Sequence, residues 1–235
     1  MLMCTMKTNS PAPEHLRFAT IATDVVPFTI HDGELLVRLI AVDRPPYFKN
    51  SQGLAGGLID PKETAEEAAI RHIEEKAGIK ASKTYIEQLY TFSAIDRDPR
   101  GRVVAVAYLA FVPWEKLSEE ERSNTKEAWW SSIKDARSLA YDHDEMLRVA
   151  LARLRSRVTY TTAISKLMST AFTLTELEQA YEAIMKTDLD KRNFRKKILK
   201  LNILKALADK RTGGRFRPAQ LYSFVSSKVQ EIEIL

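Results

Sequence analysis

Between Gly56 and Ile79 the chain reads GGLIDPKETAEEAAIRHIEEKAGI: a glycine-rich turn followed by a stretch with helical spacing. At about 100° per residue, His72, Glu75 and Lys76 fall within one arc of roughly 100°. Carboxylates gathered on such an arc would hold Mg²⁺ or Mn²⁺, which activates water and neutralises phosphate charge. This arc offers one carboxylate, Glu75, beside an imidazole and an ammonium. Imidazole is a poorer Mg²⁺ ligand than carboxylate, and an ammonium repels a divalent cation. Glu74 stands about 100° round from Glu75 and cannot take its place. With no second His, Cys or Asp at ligand spacing, His72 reads as a solvated surface residue. Glu63 and Arg71 carry opposite charges at a distance that lets them pin the glycine turn to the helix. This arc is therefore expected to give at most a weak Mg²⁺ contact at Glu75, with no required cofactor.

A second concentration of chemistry lies in RNFRKKILKLNI, residues 192–203. On a helix Phe194, Ile198 and Leu201 form one apolar stripe. If that stripe faces inward, Arg192 and Lys196 point outward, Asn193, Arg195 and Lys200 flank them, and Lys197 lies nearer the buried edge. Arg pairs with guanine O6 and N7, Asn with adenine N6 and N7, and Lys with guanine or phosphate. Shortly afterwards DKRTGGRFRPAQLYSF combines a two-glycine turn with Arg215 and Arg217 near its tip, and Pro218 stiffens its exit. A basic helix followed by a basic turn suits a duplex groove and its flanking phosphates.

Charge divides the chain in the same way. Residues 1–150 carry 19 Lys and Arg against 23 Asp and Glu, a balance of −4, and residues 151–235 carry 17 against 8, a balance of +9. An acidic front and a basic back suggest two modules, the second facing a polyanion. No apolar run is long enough to span a bilayer, and the first residues lack the apolar core of a signal peptide, so no membrane partner is expected. Cys4 is the single cysteine and reads as a free surface thiol, which fits a reducing cytoplasm.

The elements that would position these residues are legible in outline. Two β-rich runs flank Asp32-Gly33, a hairpin signal. Residues 45–53 read as a loop, 63–77 as a helix, 85–94 and 103–113 as strands, and 115–127 as a charged loop. AWWSSIKDARSLAYD reads as a strand entering a turn, with Trp129 and Trp130 as packing residues. A helix is predicted from about 142 to 157. Beyond it, helical patterns at about 160–169, 175–186 and 191–199 precede two strand-like pieces, LNILKAL and PAQLYSFVSS. Thr173 or Thr175 is the expected N-cap of the second of these helices. Three helices and a hairpin in this order spell a winged helix-turn-helix.

Gly57, Glu63, Arg71, Ile73, Glu75, Gly78 and Ile79 match the pattern G-x(5)-E-x(7)-R-E-U-x-E-E-x-G-U, where U is bulky and aliphatic; His72 and Lys76 depart from it. This stretch resembles the Nudix box, and the resemblance implies an α/β Nudix fold, an α/β/α sandwich, over residues 15–157. The family hydrolyses diphosphates with divalent metal, so the loss of glutamates at 72 and 76 leaves no catalytic residue to expect. With a winged helix-turn-helix at 158–229, the chain resembles the NrtR family of Nudix-related transcriptional regulators. The residues that carry this are 86–111, AWW at 128–130, LAYDHDEML at 139–147, FTLTELEQAYEAI at 172–184, RNFRKKI at 192–198 and RPAQLY at 217–222. The resemblance implies a homodimer on a palindromic double-stranded operator, acting as a repressor. It also implies a small-molecule effector in the Nudix half, ADP-ribose or a related NAD metabolite. Two alternatives stay open: a pentose effector, or a metal-dependent ADP-ribose pyrophosphatase. Within DRDPRGR (96–102), Arg100 or Arg102 could reach an effector phosphate, or the loop could be a charged surface hairpin.

Overall fold

The computed structural model describes residues 18–211, 218–232 and 234. Cys4, the polar amino-terminal stretch, and the Gly213-Gly214 turn with Arg215 and Arg217 lie outside the described residues.

The first half is built on a seven-stranded mixed sheet. Strands β1 (Thr20–His31) and β2 (Glu34–Arg44) form the expected hairpin, with Asp32 and Gly33 both at positive φ, as a two-residue turn of this kind requires. β3 (Phe48–Gly53) pairs with the second half of β2, on the edge that β1 leaves free there, and β4 (Ala55–Leu58) pairs with the first half of β1. Helix α1 (Ala65–Glu75) follows, opened by a capping box in which Thr64 and Glu67 exchange hydrogen bonds. β5 (Tyr85–Phe92) and β6 (Val103–Phe111) complete one side of the sheet, with β6 parallel to β1 over nine residue pairs. The short helix α2 (Glu119–Arg122) leads into β7 (Ala128–Ser132), which pairs with β2. Helix α3 (His143–Tyr160) closes the unit.

Period-two alternation sorts the core onto two faces. Val25, Tyr108 and Ala110 pack under α1 with Ala69 and Ile73, while Val26, Phe28, Leu109 and Phe111 pack against α3 with Met146, Leu147 and Leu154. α1 and α3 therefore sandwich the sheet, as expected from the sequence.

The second half contains β8 (Phe172–Thr173), α4 (Leu174–Met185), α5 (Lys191–Lys200), β9 (Leu204–Arg211) and β10 (Ala219–Phe224), with the strands in the order β8-β10-β9. Thr173 is the N-cap of α4, in a capping box with Glu176. The predicted inward stripe is real: Phe194 and Ile198 are buried, and Phe194 meets Tyr181 of α4 edge-on at 5.2 Å. The two halves share α3, because its cluster continues through Leu177, Tyr181 and Phe194.

Three local expectations are corrected. Residues 48–53 are a strand, because the exposed edge of β2 offers a backbone partner that side-chain propensity does not reveal. Residues 119–122 are helical, held by a Ser118–Glu121 capping box. The helix expected over 160–169 is instead the end of α3 and a 3₁₀ turn at Thr162–Lys166, where the Thr161 hydroxyl bonds to the backbone at Arg157 and Ala163. Hydroxyl side chains that bond to nearby backbone compete with the α-helix.

Candidate effector cleft and nucleic-acid interface

A cleft of about 470 Å³ opens where β1, β2 and β4 separate, and the end of α1, the loop after β5 and the start of α3 complete its walls. Its floor is Asp24, buried on β1. The Arg97 guanidinium, itself buried, spans Asp142 at 2.7 and 2.8 Å and Asp24 at 3.4 Å. His143 Nδ1 accepts from the Leu54 backbone N–H at 2.9 Å, which leaves the proton on Nε2, 3.5 Å from Asp24. Burial alone would raise the Asp24 carboxyl, but the hydrogen bond from His143 and the charge of Arg97 hold it below the usual carboxylate range. Two segments distant in sequence, 97–100 and 141–143, thus meet as one polar wall.

Gly56 and Gly57 let the backbone approach this floor. A Cβ on Gly56 would lie 1.8 Å from Asp24 Oδ1 and 2.6 Å from the Thr23 carbonyl. A Cβ on Gly57 would lie 2.8 Å from Lys76 Nζ and 2.9 Å from the His72 ring. His72 is 2% exposed, which corrects its expected surface position. On the inner face of α1 its ring packs against Gly57, and Nε2 has no hydrogen-bond partner among the described residues. Burial, then the charges of Lys76 and Arg71, hold its pKa below the ordinary histidine value.

Glu63 and Arg71 form the expected clamp, with bonds of 3.0 and 2.5 Å, and Arg71 also donates to the Leu58 carbonyl at 3.3 Å. The Arg71 hydrogen bond, assisted by the Asp60 backbone N–H, draws the Glu63 carboxyl from 4.5 to about 2. A depressed carboxylate stabilises the fold above its unfolded pKa and loses that contribution as pH falls through the folded value. Between pH 4.5 and about 2 the melting temperature should therefore fall less steeply in Glu63→Gln than in the parent chain. Parallel slopes in a pH series of thermal melts would remove Glu63 from the acid transition.

The divalent metal that the box implies does not fit these residues. Among the described residues no cluster of three or more His, Cys, Asp or Glu side chains can hold a metal ion. Glu75 pairs with Arg71 at 3.5 Å, and Lys76 donates its ammonium to the Gly56 carbonyl. A fixed positive charge thus lies against the glycine turn.

In the loop after β5, Arg100 lines the cleft, held by Asp98 at 2.6 and 2.9 Å and set over the Tyr141 ring. Arg102 turns away and donates to the carbonyls of Ser93 and Ala94, so it closes the loop instead of reaching the cleft. Trp130 is buried and donates to the Glu121 carbonyl at 2.9 Å, in keeping with a packing role.

On α5, Arg192, Asn193, Lys196, Lys197 and Lys200 are exposed along one continuous basic surface. Lys197 is not at the buried edge, because the stripe narrows to Phe194 and Ile198. Arg195 departs from the expected outward set: it donates to Thr175 at 3.0 Å and pairs with the buried Glu178 at 3.3 Å. It fastens α5 to α4.

Residues 20–153 match the NUDIX domain family, and residues 164–224 match the NrtR DNA-binding winged helix domain. The chain is 32% identical over 222 residues to the ADPR responsive transcriptional repressor NtrR of Acinetobacter baylyi, covering 93% of this chain and 84% of that one. The chain belongs to the NrtR family of Nudix-related transcriptional regulators. Crystalline NrtR of Shewanella oneidensis with a 27mer DNA superposes with a TM-score of 0.76 at 32% identity, covering 87% of this chain and 93% of that one. The NUDIX domain of the same NrtR, solved with ADP ribose, gives 0.52 at 31% identity, covering 61% of this chain and 94% of that one.

Within this NrtR-family chain, sequence reasoning missed Asp24, Arg97, Asp142 and His143. Asp142 and His143 lie in the stretch LAYDHDEML that marked the family, and Arg97 lies in DRDPRGR. The available signal was two charged segments of opposite sign, one between two apolar strands and the other at the start of a helix. Which arginine turns inward is decided by chain path, which spacing alone does not encode.

Proposed function

We propose that this chain is a DNA-binding repressor whose Nudix half binds ADP-ribose, or a related NAD metabolite, and does not hydrolyse it. The observation that carries this reading is Lys76: its ammonium rests on the Gly56 carbonyl at the cleft, where cleavage would call for a metal-binding carboxylate. The cleft keeps its walls while the cation clamp is gone. Arg192, Asn193 and Lys196, with Lys200 beside them, would meet a duplex groove, and Arg215 and Arg217 would meet its phosphates. The functional unit is a homodimer on a palindromic operator in the cytoplasm.

Helix α3 supplies a physical link between the two sites. It begins at the cleft with His143, beside Asp142, and its 18 residues run about 27 Å. Toward its other end Arg155 donates to the Ile184 carbonyl at the end of α4. A ligand that favours one setting of this rod changes operator affinity only by its difference in affinity for the two settings.

The test is a mobility-shift titration of the full chain on its upstream region and on a scrambled duplex, with and without ADP-ribose or a pentose. Sequence-selective binding that ADP-ribose alters is expected, and AMP release from ADP-ribose with Mg²⁺ or Mn²⁺ is not. Equal affinity for both duplexes, or turnover abolished by Glu75→Gln, would overturn the proposal. A response to pentose alone would reassign the effector.

A further inference from the structure

We infer that Lys76 and Arg44 form a built-in cationic clamp for a diphosphate, so that the effector binds without any divalent metal. The inference rests on the effector reading above and names how that site holds its ligand.

Four cations line the cleft: Arg44, Lys76, Arg97 and Arg100. Two are already neutralised by carboxylates of this chain, Arg97 by Asp142 and Asp24, and Arg100 by Asp98. Lys76 and Arg44 are different. Lys76 bonds to a neutral carbonyl, and the hydrogen bond of Arg44 is a long one, 3.5 Å, to the carbonyl of its neighbour Asp43. Among the described residues no carboxylate lies within ion-pairing distance of either. Burial, then the repulsion of Arg44, lowers the Lys76 pKa, which places the two charges in each other's field. The acids at the mouth, Asp43 and Glu127, pair with neither.

Two unneutralised like charges facing one cavity are unfavourable until an anion enters. A ligand with two adjacent phosphates carries one negative group for each, and charge-assisted hydrogen bonds of this kind are the strong ones. A neutral sugar cancels neither charge. The ammonium also stands against Gly56 and Gly57, where the backbone comes closest to the cleft floor. A Mg²⁺ carried in by the ligand would meet Lys76 and gain no carboxylate cluster among the described residues. Where the box pattern has a metal-binding glutamate, this chain thus places a cation for the same anion.

The experiment is calorimetric titration of the full chain with ADP-ribose, inorganic pyrophosphate and AMP, each in EDTA and in excess Mg²⁺. ADP-ribose affinity should be the same in both buffers, and pyrophosphate should compete. Lys76→Met and Arg44→Ala should each weaken ADP-ribose about 10- to 100-fold, the range of one charged hydrogen bond, with a smaller effect on AMP. Lys76→Arg should restore most of the affinity. Thermal melts of every variant separate lost binding from lost folding, and Arg44, exposed on β2, gives the second handle. Binding of ADP-ribose only with Mg²⁺ would overturn the clamp and leave the effector reading intact. So would unchanged affinity in both variants. Binding of a pentose, with no binding of ADP-ribose or pyrophosphate in either buffer, would overturn both.

Discussion

Replacing Arg97 with methionine is expected to destabilise the chain by about 3–5 kcal/mol, the cost of removing one partner from a buried ion pair. The Arg97 side chain is 3% exposed and answers two carboxylates at once, Asp24 at 8% and Asp142 at 18%. Methionine fills a similar volume but leaves Asp24 with only the His143 Nε2 proton. Urea denaturation at pH 8 should show the full loss. Part of it should return toward pH 5, because an Asp24 deprived of Arg97 can take up a proton and shed its unpaired charge. Adding Asp24→Asn should recover stability, and the double-mutant cycle measures the coupling. A loss below about 1 kcal/mol at pH 8 would mean that water reaches this wall and screens it.

The second large effect concerns α5. Arg192→Ala with Lys196→Ala should weaken operator binding by about 2–6 kcal/mol, from about 1–3 kcal/mol at each position. The two residues stand one turn apart on the exposed face, and neither forms an ion pair among the described residues. Folding stability should therefore stay within about 0.5 kcal/mol of the parent. Each phosphate that the variant no longer neutralises should flatten the log–log salt slope by about 0.9. Arg195→Ala should do the reverse. It removes a cation from the buried Glu178 and a bond from Thr175, so urea melts should register it more strongly than the salt slope does. An Arg195 variant that kept its stability but failed to bind the operator would return that residue to the DNA face.

Much of the framework was legible because it is local. The Asp32-Gly33 hairpin, the Thr64 and Thr173 caps and the Phe194–Ile198 stripe all depend on residues within one or two turns of each other. So does the Glu63–Arg71 clamp, fixed by the short path from turn to helix. Where a partner came from elsewhere, the reading failed. β3 needed the free edge of β2, the burial of His72 needed the backbone at Gly57, and the inward Arg97 needed Asp142 from 45 residues away.

The sequence by itself determined the chemistry on offer: a phosphate-handling frame short of two carboxylates, a basic helix, and the order of elements that joins them. Periodicity and side-chain type decide these, and both are properties of short stretches. The tertiary structure alone decided which charges are already matched. Arg97, Arg100 and Arg195 are neutralised by carboxylates of their own chain, while Lys76, Arg44, Arg192 and Lys196 stand without one among the described residues. Charge in a sequence is a count, but its availability depends on distance and burial, and the folded chain sets both.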